Sequence, residues 1–319
     1  MKLVHSLVVF GFATLLVACS DSPQQSDPDF RPKDRVAHFS SDSGPLVLID
    51  EAHNNFLTMS GRYKPFAQVL ESDRFKVSSN DKAITENLLR QVDILVIANA
   101  LDRKRQDWLP PYGEALSDHE VEALKSWILN GGSLFLVADH TPFPKTIENL
   151  ALALGFQFIN GHVGNATFSK VNHSLTEHAT TYNKEISQNI DEKSQPLFLQ
   201  SINNVSPDIL QVRSFGGSAF KAPEKAISLL KLGNGITATE PKIPFQVNAD
   251  TPKLPMSGWS QGAVLELGKG RVAVFSEGMM FSSQLVKSTG KTMGLRSVGA
   301  EQNEEFLLNI MRWLADSQD

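Results

Sequence analysis

Five side chains in this 319-residue chain combine the types needed for proton transfer or cation binding with one recurring setting. Asp50 and His53 follow Leu46-Val47-Leu48-Ile49, Asp139 and His140 follow Leu134-Phe135-Leu136-Val137-Ala138, and Glu277 follows Val272 to Ser276. Glu51, Asn54 and Asn55 extend the first group, and Asn99 follows Ile94-Leu95-Val96-Ile97-Ala98. Each stands immediately after an apolar run, and in open α/β sheets ligands bind beyond the carboxyl ends of the strands. If the runs are neighbouring parallel strands, acids and imidazoles converge on one rim. They could then act as general acid and base, or hold a divalent cation that activates a water in a metal-assisted hydrolase. The same residues also have plainer uses: a carboxylate after a strand can cap the next helix, and Asn54 and Asn55 suit a turn. No HExxH or comparable metal-ligand spacing is present.

The elements that must position these residues alternate. Continuous apolar runs read as strands covered on both faces. Between them, helical spacing is read over Met59 to Ser72, Thr85 to Gln91 and Thr146 to Leu154, with Phe75 to Val77 a short edge strand. Ser117-Asp118-His119-Glu120 is a capping box opening a helix that Gly131-Gly132 stops, with His119 facing solvent. The polar stretch Gly161 to Pro207, holding His162, His173 and His178, reads as an excursion over the sheet, where a lid contribution is conceivable. Ile209 to Phe215, Ala226 to Leu232, Ala263 to Leu267 and Arg271 to Phe275 follow as strands, and a helix over Asn303 to Ala315 closes the chain. The order predicts an α/β domain over 44–319 with a doubly wound, mostly parallel sheet and an extra C-terminal strand region.

Composition limits the function. With 41% apolar residues the chain can bury a core, and 30 Lys and Arg against 35 Asp and Glu give a net charge of −5, which offers no surplus for a nucleic-acid backbone. Gly-x-Ser-x-Gly, Walker A and Rossmann glycine patterns are all missing from the sequence. Gly216-Gly217 and Gly268-Lys269-Gly270 read as turns.

The N-terminus addresses the compartment. Lys2, the apolar run Leu7 to Val17 and small residues make 1–18 a signal peptide, too short to span a bilayer. Leu16-Val17-Ala18-Cys19 resembles the lipobox of bacterial lipoproteins, and Cys19 is the single cysteine of the chain, at the position where lipidation requires it. That resemblance implies a lipid-anchored cell-envelope protein whose domain faces the periplasm, held to its membrane through the N-terminal lipid. Ser20, standing where Asp would retain the protein at the inner membrane, favours the outer one. Residues 19–43, polar and without period, read as a flexible tether.

Leu48 to Asn55, Gly131 to His140, Gly270 to Glu277 and Asn303 to Trp313 together resemble the DUF4350-type domains of the class I glutamine amidotransferase-like superfamily. The resemblance implies a flavodoxin-like sheet. Active members carry a cysteine nucleophile at a strand-to-helix turn, where this chain has Asp139-His140, and Cys19 is assigned to lipid. Ammonia-releasing chemistry is therefore not expected. The resulting expectation is a domain that binds a small polar ligand or an envelope protein, without nucleic acid, at a site drawn from Asp50, Glu51, His53, Asn54, Asn99, Asp139, His140 and Glu277.

Overall fold

The computed structural model describes residues 24–41, 43–105, 107–181 and 208–316. The signal peptide, Cys19 and the later part of the polar excursion lie outside them.

Strand β1 (Gln24–Ser26) precedes β2 (Leu46–Asp50), helix α1 (Lys64–Ser72), β3 (Lys76–Asn80), α2 (Glu86–Leu89), β4 (Ile94–Ala98), α3 (Asp118–Leu129) and β5 (Ser133–Val137). The short helices α4 (Phe143–Thr146) and α5 (Glu148–Ala153) lead to the small strands β6 (Gln157–Phe158), β7 (His162–Val163) and β8 (Ala166–Ser169). Then come β9 (Gln211–Ser214), β10 (Phe220–Lys221), β11 (Ile227–Lys231), β12 (Thr237–Thr239), β13 (Lys253–Pro255), β14 (Ser260–Leu267), β15 (Gly270–Phe275), β16 (Ser283–Val286), β17 (Lys291–Gly294) and α6 (Asn303–Ala315).

Among the described residues the main sheet has nine strands in the order β3-β2-β4-β5-β15-β14-β10-β6, with β11 also on β14. The first five pair in parallel, whereas β14, β10, β11 and β6 pair antiparallel to their neighbours. The domain is thus α/β with a mixed sheet, less uniformly parallel than the alternation of runs predicts. The reason is the Gly268-Lys269-Gly270 turn: it reverses β14 into β15, and β15 enters beside β5, so the C-terminal strands extend the sheet as hairpins.

Alternation along each strand divides the core. Val47, Ile49, Val96, Ala98, Phe135, Val137, Ala273 and Phe275 face one side with α1 and α6. Leu48, Leu95, Ile97, Leu134, Leu136, Val272 and Val274 face the other with α2, α3 and α5. Phe135 stacks on Phe275 at 5.4 Å and meets Phe281 edge-on at the same distance, so the parallel strands are locked where the late strand enters. Helix α1 starts at Lys64, later than its apolar spacing indicates, because Pro65 occupies the first turn where its missing N–H costs nothing.

The stretch read as a tether is docked from Gln24 onward. β1 pairs with β16, and the Asp27 carboxylate accepts from Ser283 Oγ and Arg296 Nη1, both at 2.9 Å. Phe30, 2% exposed, enters the core, and Arg35 pairs with Glu304. Mean polarity hides this strap because its strand contacts are backbone bonds and its apolar burial rests on two isolated phenylalanines, Phe30 in the core and Phe39 against Phe75.

Candidate functional site

The strand-end residues separate into two groups on opposite faces of the sheet. Asp50 continues the phase of Leu48, so it points to the α3 layer, whereas Asp139 continues Val137 and Glu277 continues Phe275 on the α1–α6 side. The expectation that Asp50, His53, Asp139, His140 and Glu277 face one crevice is corrected by this phase difference.

The first group is a closed bridge. His53 Nδ1 lies 2.8 Å from Asp50 Oδ2 and its Nε2 lies 3.1 Å from Glu120 Oε1. Glu120 forms the expected capping box with Ser117, and its Oε1 also accepts from the Ile84 N–H. Burial works to raise the Glu120 carboxyl, but the Ser117 backbone and hydroxyl donors, the Ile84 N–H and the His53 charge outweigh it and bring the pKa to about 2. For His53, burial acts downward, and the hydrogen bond and charge of Asp50, followed by those of Glu120, prevail and raise it. A protonated imidazole between two carboxylates fastens the end of β2 to the start of α3. His119, on the same turn, is exposed as expected.

Glu51 and Asn54 serve the same loop. Glu51 Oε1 accepts from the Met59 N–H at 2.8 Å, and Asn54, at a φ of 49°, donates to Leu101 O. Asn55 Oδ1 accepts from the His53 N–H.

The second group lines an open crevice of about 160 Å³ at the carboxyl ends of β4, β5 and β15. Asn99, Asp139, His140 and Glu277 are all in its wall, joined by His162 from the excursion read as a lid contributor and by Arg62, Phe245 and Gln284, which no sequence pattern marks. Asn99 adopts a φ of 54°, and its Oδ1 accepts from the Asp139 N–H at 2.9 Å, joining two strand ends. Asp139 Oδ2 accepts from the Gly278 N–H at 3.2 Å. Glu277 is 1% exposed, with its two oxygens accepting from the Met279 and Met280 N–H groups at 2.8 and 2.9 Å. Burial, reinforced by the Asp139 charge and opposed by these donors, raises Glu277 to about 8, so it holds a proton at neutral pH. Tyr63 donates to Gly278 O beside it and is itself raised by burial and both acids.

Arg62 is lowered to about 10 by burial against the pull of Asp139, and remains a cation at neutral pH. His162 is lowered by burial and by His140, hence neutral, and its buried Nδ1 has no partner. His140 donates from Nδ1 to Thr141 O at 2.7 Å. Gly217, at a φ of 84°, passes so close to β15 that a Cβ there would lie 2.1 Å from Ser276 O, so glycine lets the β9–β10 turn close the floor under Glu277.

Among the described residues no group of three or more His, Cys, Asp and Glu side chains is placed to hold a metal ion. The reading of the strand-end residues as one divalent-cation site fails here, because its ligands stand on two faces and Asp50 and His53 are consumed by their bridge. What remains in the crevice is a polar pocket with the Arg62 cation, the Asp139 carboxyl, a protonated Glu277 and the imidazoles of His140 and His162.

No family model and no curated protein matches this chain. Among solved structures, the mmIFT52 N-terminal domain superposes with a TM-score of 0.53 at 17% identity, over 86% of this chain and 99% of that one. This likeness concerns the fold alone. A ThuA-like protein from Bacteroides uniformis (TM-score 0.42, 12% identity, 88% of this chain and 95% of that) and the cytoplasmic protein STM3548 from Salmonella typhimurium (0.45, 11%, 85% and 98%) are more distant. Among the described residues no helix is long and apolar enough to cross a membrane.

Proposed function

We propose that this chain is a cell-envelope lipoprotein, anchored through Cys19 with its domain in the periplasm, and that this domain, of flavodoxin-like, DUF4350-type amidotransferase-like kind, binds a small polar ligand. The carrying observation is the crevice itself: at the strand ends where α/β folds take ligands, a protonated Glu277, Asp139 and Arg62 surround open space. A cavity of roughly 150 Å³ accepts a six-membered ring, so the space suits a molecule of about that size. Cys19 being the one cysteine, the site offers charge and hydrogen bonds and no thiol nucleophile. That composition supports recognition, with Arg62 for an anionic group and Asp139 for a donor or cation.

The test combines anchor and ligand. Cys19→Ala should abolish fatty-acid labelling and release the protein from membranes; labelling unchanged in that variant refutes the anchor. Thermal unfolding against amino acids, hexoses, nucleosides and phosphorylated amines should reveal a stabilising compound, by about 2.7 kcal/mol at a hundred times its Kd. Asp139→Asn should remove that stabilisation. If no compound stabilises the protein, or the variant responds as the parent does, the ligand reading falls.

A further inference from the structure

Three features of the crevice rim point in one direction. The first is the covalent reach of the anchor. Gln24 lines the crevice, its carbonyl accepting from Arg62 Nη2 at 3.1 Å, and Cys19 stands five residues before it. A fully extended chain covers at most about 3.6 Å per residue, so Cys19 is never farther than about 18 Å from the wall of the pocket. A lipid on Cys19 therefore keeps the Gln24 wall of the crevice within that reach of the bilayer surface. Had the strap been a free tether of its full length, the crevice could stand much farther off; its docking from Gln24 onward shortens the leash to five residues.

The second feature is the apolar lip. Phe245, 68% exposed, and Val247, 54% exposed, project from the segment between β12 and β13 and adjoin the crevice across a second cavity of about 240 Å³ shared with His140 and His162. Phe245 sits at a φ of 65°, a conformation that a bulky residue seldom adopts, and its ring meets His140 edge-on at 4.7 Å. The exposed Lys242 flanks the lip on one side and the exposed Lys253 on the other. Exposed aromatic and aliphatic side chains flanked by lysines suit the headgroup layer of a membrane.

The third is an unanswered acceptor. Gln284, 2% exposed and in the crevice wall, has an Oε1 without a hydrogen-bond partner. A buried carbonyl of this kind costs free energy unless a donor reaches it, and the side chain belongs to the crevice wall.

We infer that the crevice receives the phosphoethanolamine headgroup of a phospholipid from the membrane that carries the anchor, its phosphate toward Arg62 and its ammonium toward Asp139 and Gln284 Oε1. This deepens the function proposed above and rests on it. The charge pattern selects the class: a phosphoglycerol headgroup brings no cation for Asp139, and a phosphocholine headgroup brings no N–H for Gln284 Oε1. The Phe245 lip would lie among the acyl–headgroup boundary while the headgroup rises into the pocket.

The experiment uses the full lipidated protein in nanodiscs that contain phosphatidylethanolamine or phosphatidylcholine at equal anionic content, read by hydrogen exchange over 241–254 and 277–286, with soluble phosphoethanolamine and phosphocholine titrated in parallel. Phosphatidylethanolamine discs should slow exchange in both segments, and soluble phosphoethanolamine should bind at least about tenfold more tightly than phosphocholine, as expected for hydrogen bonds to a charged donor. Gln284→Leu should erase the preference in both arms. Val247→Ser, at an exposed position of the lip outside the crevice wall, should keep the soluble preference and weaken the disc effect. Equal exchange in both disc types on lipidated protein overturns the inference, and binding of soluble phosphoethanolamine without a disc effect overturns the membrane source while leaving a polar-ligand site. A chain without lipid on Cys19 overturns both this inference and the anchored reading beneath it.

Discussion

Glu277 gives the most direct energetic test of the crevice. Its ordinary pKa of 4.5 is raised to about 8 in the folded chain by burial and by the charge of Asp139. Between these values the unfolded chain releases the proton and the folded chain keeps it, so the folded state binds more protons and stability falls as pH rises. The contribution is complete below pH 4.5, where both states are protonated, and is lost as pH rises through about 8. At about 1.36 kcal/mol per unit, the loss over that window is about 4 to 5 kcal/mol. Glu277→Gln removes the titration. Its amide also sets an NH₂ group against the Met279 or Met280 N–H, a cost of about 1 to 3 kcal/mol that does not vary with pH and cancels in a slope. The assay is urea unfolding of parent and variant at intervals from pH 4.5 to 9. The parent should lose stability relative to the variant by several kcal/mol across the window, with most of the change above pH 5. Parallel pH curves would refute the claim that Glu277 is protonated in the folded protein, and with it the description of the crevice.

Two further outcomes follow from the packing. His53→Ala should destabilise by about 3 to 5 kcal/mol because it strands Asp50, fully buried, beside Glu120; the raised His53 pKa makes the imidazolium's share complete below pH 6.5 and lost as pH rises through the folded value, so urea midpoints of parent and variant should converge in alkaline buffer. Phe30→Ala should cost about 3 to 5 kcal/mol and open the strap to protease between Gln24 and Phe39 while the sheet stays resistant; unchanged resistance would show that the strap is held without Phe30.

The amino-acid sequence alone determines the α/β alternation, the buried parallel strands and the capping box at Ser117, because each depends on periodicity or on contacts a few residues apart. It also determines which residues stand at the strand ends. The division of those residues between two faces was in principle legible: the period-two phase carries Leu48 to Asp50 on one side and Val137 to Asp139 on the other. That phase becomes decisive only once the faces are known to carry different helices. The partners are a matter of tertiary structure throughout. Glu120 reaches His53 across 67 positions, and Arg62, Gln284 and Phe245 arrive at the crevice from separate loops and a hairpin, so no local pattern announces them. The same holds for β15, whose place beside β5 brings Glu277 to Asp139, and for the N-terminal strap, whose backbone ladder with β16 leaves no imprint on side-chain composition. Local spacing encodes the elements, and long-range pairing decides which of their ends meet.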